Sequence, residues 1–153
     1  MLKYVDAKVV FAEVPDEVTL AINISGCPCN CRGCHSSYLA EDIGEPLDLQ
    51  HLTNLIDSNK GITCVCLMGG DSNPEYINIL GKTIKCHKLK SAWYSGRQEL
   101  SKEIDLKNFD FVKLGPYIEE LGPLNSKNTN QRFYKIEENK LIDITNLFWK
   151  DND

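Results

Sequence analysis

Residues 26 to 35 read Gly26-Cys27-Pro28-Cys29-Asn30-Cys31-Arg32-Gly33-Cys34-His35. Cys27, Cys31 and Cys34 are spaced C-x3-C-x2-C, and Cys29 sits inside the first gap. Three thiolates on one short loop can reach three corners of a cubane iron–sulfur cluster. The fourth iron is then left without a protein ligand, which is the open metal position a substrate-binding site needs. Two other uses of the same donors stay open on spacing. One is a zinc site completed by His35 or Cys29, although the adjacent Cys34 and His35 are poorly placed to bind one metal. The other is an electron-transfer cluster with Cys29 as fourth ligand.

The rest of the composition narrows the context. The chain has 153 residues, 42% hydrophobic and 25% charged, with a formal net charge of -5. That size fits a single domain spanning residues 1–153. The acidic balance argues against nucleic acid or an anionic membrane as the main partner, since both reward clustered Lys and Arg. No uncharged apolar stretch reaches the roughly 18 residues needed to span a bilayer. Met1 to Asp6 carry charge and lack a signal-peptide core, so a cytoplasmic location is expected. Four of the seven cysteines fall within eight residues, whereas disulfide frameworks spread their cysteines to staple distant segments. The remaining three play other parts. Cys64 and Cys66 alternate along an apolar run and read as core, while Cys86 beside His87 is only a weak metal suggestion.

Positioning the cysteine loop falls to the apolar runs around it. Ala7 to Ala12 and Val18 to Ile24 read as strands of a hairpin that turns at Pro15-Asp16, and the second run leads directly into the cysteines. Leu49, Leu52, Leu55 and Ile56 share a helical face, closed by Gly61. Ile62 to Met68 reads as a buried strand. Asn73-Pro74 is an N-cap and first helical position for a helix carrying Ile77, Leu80 and Ile84. Ser91 to Tyr94 is a short strand, Gln98 to Leu106 a weaker helix, Phe109 to Leu114 a strand, and Phe133 to Ile136 a further strand. Strands alternating with helices predict an α/β fold with a mainly parallel sheet, here an open partial (β/α) barrel. Functional loops of such folds gather at the carboxyl ends of the strands. Four successive ends carry the cysteines, Gly69-Gly70-Asp71, Ser95-Gly96 and Gly115-Pro116.

With these residues in view, the chain resembles the radical S-adenosylmethionine enzymes. Its Gly33-Cys34-His35 step resembles their small activating enzymes, in particular the activating proteins of anaerobic ribonucleoside-triphosphate reductase. The resemblance runs from about residue 18 to residue 136. Met68-Gly69-Gly70-Asp71, Trp93-Tyr94-Ser95-Gly96, Gly115-Pro116-Tyr117 and Asn130-Gln131-Arg132 fall where such proteins carry landmarks. It implies a 4Fe–4S cluster on Cys27, Cys31 and Cys34, and S-adenosylmethionine bound near Gly33, Cys34, His35, Gly69, Gly70, Asp71 and Ser95. The reduced cluster would cleave S-adenosylmethionine, and the resulting 5′-deoxyadenosyl radical would take a hydrogen atom from a glycine of a partner enzyme. An external reductant such as flavodoxin would supply the electron, and a short chain suits a protein substrate better than an enclosed small molecule. Arg132 has two readings, a pair with a cofactor or partner carboxylate and an ordinary surface ion pair.

Overall fold

The computed structural model describes residues 2–25 and 44–152. Strands β1 (Lys3–Val10) and β2 (Thr19–Ile24) form the expected hairpin. A two-residue strand β3 (Glu45–Pro46) precedes helix α1 (Leu49–Ser58), β4 (Cys64–Met68), helix α2 (Pro74–Cys86) and β5 (Lys90–Tyr94). Strands β6 (Phe111–Leu114), β7 (Arg132–Glu137) and β8 (Lys140–Asp143) follow, and a 3-10 segment runs over Thr145–Asn152. All eight strands make one sheet in the order β3-β1-β2-β4-β5-β6-β7-β8.

The open partial (β/α) barrel with a mainly parallel sheet is not what the chain forms. Only β2, β4, β5 and β6 are mutually parallel. Both flanks are antiparallel, β3 and β1 on one side, β7 and β8 on the other. Parallel neighbours need a long crossover, whereas antiparallel neighbours can be joined by a turn, as β7 and β8 are. Glu138 and Asn139 close the β7–β8 hairpin with φ of 49° and 62°, the left-handed pair that a two-residue hairpin demands. The described residues hold two α-helices, and both lie on the same face of the sheet.

The expected helix over Gln98–Leu106 is also absent; the only helical turn there is a 3-10 turn at Leu106–Asn108. Its two apolar residues still reach the core, Ile104 buried and Leu100 partly buried. The Asn78 side chain on α2 explains the difference. It donates to Glu103 O and accepts from Asp105 N at 2.8 Å, which engages this backbone outside any helical ladder.

Alternation along the strands builds a core on each face. Leu20, Ile22, Ile24, Val65, Leu67, Trp93, Val112 and Leu114 face the helices and pack on Leu52, Ile56, Ile77, Leu80 and Ile84. Cys64, Cys66, Ala92, Phe111 and Phe133 point to the other face, where Val14, Leu124 and Phe148 cover them. Asp48 and Asn73 cap the two helices, each accepting from a backbone N–H three residues on. No helix among the described residues is long and apolar enough to cross a membrane.

Gly81 marks the closest approach of α2 to the chain entering β6. A Cβ there would stand 2.7 Å from Phe109 Cζ and 2.9 Å from Asn108 O. Alanine is favoured over glycine inside a helix by about 1 kcal/mol, yet overpacking of this kind costs about 1–3 kcal/mol. Gly81→Ala is therefore expected to lower the urea midpoint; an unchanged or raised midpoint would contradict the packing.

Candidate cofactor site at the strand ends

Cys27, Cys29, Cys31, Gly33, Cys34 and His35 lie outside the described residues. The frame around them is described. In the parallel register Asn23 pairs with Met68, Met68 with Tyr94, and Tyr94 with Lys113. The four strands therefore stop within one residue of a common rung, β2 and β6 running one residue past it. Beyond the rung come Ile24-Ser25, Gly69-Gly70, Ser95-Gly96 and Leu114-Gly115. With neighbouring strands about 4.8 Å apart, this row extends about 14 Å from β2 to β6. The chain leaves β2 at one end of the row, three residues before Cys27 in sequence.

The glycines of the row are fixed by geometry. Gly69 has φ 108° and Gly70 φ 86°, a region that side chains with a Cβ avoid. A Cβ on Gly69 would meet Ile24 O at 3.0 Å, and one on Gly70 would meet Ile77 Cδ1 at 2.5 Å. Gly69 continues the ladder by donating to Tyr94 O at 3.0 Å, and its own carbonyl accepts from Trp93 Nε1 at 2.6 Å. The Gly-Gly step is thus required by the β4 turn itself, and it brings bare backbone to the carboxyl end of β4.

Asp71 and Ser95, both expected at a cofactor, come together. Asp71 is 3% exposed; its carboxylate accepts from Ser95 Oγ and, at 2.9 Å, from Gly96 N. Ser95 Oγ in turn accepts from Arg97 N at 3.1 Å. Its single proton is committed to Asp71, so this hydroxyl can meet a ligand only as an acceptor. Asp71 links the β4 end to the β5 end, a role its position in a Gly-Gly-Asp turn does not announce.

Lys113 went unnoticed in the sequence. It is 8% exposed on β6, and its Nζ donates to Ser95 O and to Gly115 O, each at 3.0 Å. The signal was a lysine in a run, Phe111-Val112-Lys113-Leu114, that otherwise reads as a buried strand. At the last strand end Asn130 Nδ2 donates to Pro116 O at 3.0 Å, and its Oδ1 is buried with no donor among the described residues. Arg132 takes the surface reading, half-exposed and 3.7 Å from Asp143.

Other candidates fall away from the row. Among the described residues no group of three His, Cys, Asp or Glu side chains is arranged to hold a metal. Burial pushes the Cys64 thiol up to about 12 and the Cys66 thiol well above its ordinary value, so both stay protonated core residues and are unfit as thiolate ligands. Burial, with the Glu13 carboxylate nearby, also drives the Tyr94 phenol well up; its hydroxyl donates to Glu13 O. His51 sits on the α1 surface, 2.8 Å from Asp48. A cavity of 690 Å³ lies at the amino ends of the strands, remote from the row. Four of its charged groups are already paired there, Lys85 with Asp110 at 3.1 Å and Lys90 with Glu17 at 2.9 Å.

A family model described as a 4Fe-4S single cluster domain matches residues 17–136. Searches of curated proteins and of solved structures returned no match. The matched span begins just before β2 and ends in β7, so it takes in the cysteine segment and all four level strand ends.

The thiol chemistry gives a direct check. A thiol titrating near 12 is thiolate in only about one molecule in ten thousand at pH 8. Native protein treated with iodoacetamide at pH 8 should be labelled at the exposed Cys86 and not at Cys64 or Cys66, read by peptide mass spectrometry. Labelling of either buried thiol before unfolding would contradict this core.

Proposed function

The chain belongs to the 4Fe–4S single cluster domain family, and from that membership we propose that it is a radical S-adenosylmethionine activase. Its substrate is a backbone glycine of a partner glycyl radical enzyme, anaerobic ribonucleoside-triphosphate reductase by resemblance. The observation that carries the reading is the level row of strand ends, with the cysteine segment leaving at one side and Gly69-Gly70, Asp71, Ser95 and Gly115 following across it.

Cys27, Cys31 and Cys34 would hold the cluster, which supplies one electron to open the sulfonium carbon–sulfur bond of S-adenosylmethionine. The chain's own residues bind and orient. S-adenosylmethionine brings two positive centres, an ammonium and a sulfonium. The backbone at Gly69-Gly70 offers an approach free of side chains to its amino-acid end. Ser95 offers an acceptor with its proton already turned toward Asp71, and the Asp71 carboxylate lends negative charge to that side. Gly33 and His35 flank the third cysteine and belong to the same binding set. The finer assignment to an activase, and the choice of partner, rest on Gly33-Cys34-His35 and on the stretch from Gly115 to Arg132.

The experiment combines anaerobically reconstituted protein, a flavodoxin-type reductant, S-adenosylmethionine and an anaerobic ribonucleotide reductase. A glycyl radical signal in electron paramagnetic resonance is expected on the reductase, dependent on S-adenosylmethionine and abolished by Cys31→Ala. No radical on the reductase, with cofactor cleavage stimulated by a small molecule instead, would overturn the activase reading.

A further inference from the structure

Lys113 sits where a charge is costly. Its strand neighbours are apolar, it is 8% exposed, and the ring of Tyr94 lies 5.6 Å from its Nζ. Replacing a buried ion by an apolar residue of similar volume is often neutral or stabilising, so stability alone is a weak reason for a lysine here. What a methionine cannot do is donate. Lys113 donates to Ser95 O and Gly115 O, the first carbonyls beyond the adjacent strands β5 and β6. The backbone separates at this point, because Gly115 N turns to Arg97 O at 2.7 Å. The ammonium bridges that separation. On the other side of Ser95 stands Asp71, accepting from its hydroxyl and from Gly96 N. One residue is thereby held between a buried carboxylate and a buried ammonium, and the ends of β4, β5 and β6 become one connected unit.

We propose that Lys113 is a positioning residue: by tying the Ser95 and Gly115 carbonyls it sets the spacing of the β5 and β6 ends, and with it the seat of the S-adenosylmethionine molecule that spans them. The proposal rests on the reading of these ends as the S-adenosylmethionine site.

Lys113→Met tests it with two readouts. Titration calorimetry on anaerobically reconstituted protein should show S-adenosylmethionine binding weakened about tenfold or more, as the loss of charge-assisted hydrogen bonds predicts. Hydrogen exchange on the protein without cluster or cofactor should show the Ser95 and Gly115 amides accelerated at least about tenfold, while the amides of Leu20 to Ile24 stay as protected as in wild type. Lys113→Arg, which keeps donors for both carbonyls, should recover most of each loss. Wild-type affinity in the Met variant, or acceleration spread evenly over the sheet, overturns the proposal. Should the Met variant fail to fold, the wild-type protein decides: a slowly exchanging Lys113 ammonium signal in nitrogen-15 spectra is expected, and exchange as fast as that of surface lysines overturns the tie. Wild-type protein that binds no S-adenosylmethionine would sink the reading of the site, and the exchange data would still decide whether the tie exists.

Discussion

Four parallel strands that end within one residue of the same rung are the constraint from which the rest of this molecule follows. Asn23, Met68, Tyr94 and Lys113 stand side by side, so the turns after them begin at a common level. A slip of one residue in any pairing would move that strand's whole apolar set to the wrong face. The register is therefore held by both cores at once. Leu67 and Trp93 must face α1 and α2, while Cys66 and Ala92 must face Phe133. Packing far from the site thus fixes which residues arrive at it.

Level ends alone would leave four loops free to drift apart, and polar groups prevent this. Trp93 donates to the Gly69 carbonyl, Asp71 accepts from Ser95 and Gly96, and Lys113 donates to Ser95 and Gly115. Each is buried, so each would be costly if unpaired. Buried networks of this kind are rigid when satisfied. Rigidity is useful where a ligand has to be presented to a metal in one orientation. Asn130 Oδ1 is the exception, a buried acceptor without a donor among the described residues at the far end of the row.

The strand ends were legible in the sequence because each apolar run stops at residues that cannot continue it. Gly69-Gly70 needs positive φ, Ser95-Gly96 turns, and Gly115 has φ 110°. The capped helix starting at Pro74 was equally plain. Of the antiparallel flanks only the β1–β2 hairpin was legible; β3 with β1 and β7 with β6 pair segments far apart in sequence, and nothing in those segments names the partner. That omission turned a mixed sheet into an expected barrel. The Gln98–Leu106 helix failed for a similar reason: Leu100 and Ile104 do reach the core, but the bonds from Asn78 that hold this stretch open come from α2. Asp71 and Lys113 show the limit for sites. The resemblance places Asp71 at the cofactor and does not mark Lys113, while hydrogen bonds tie both of them to neighbouring strand ends.

In the function we propose, the row of strand ends seats S-adenosylmethionine beside a cluster with one open iron. Anaerobic iron analysis joined to electron paramagnetic resonance of the reduced protein tests it most directly. About four irons per chain are expected, with a reduced-cluster signal that changes shape when S-adenosylmethionine is added. Bound zinc without iron, or a cluster signal indifferent to S-adenosylmethionine, would contradict it.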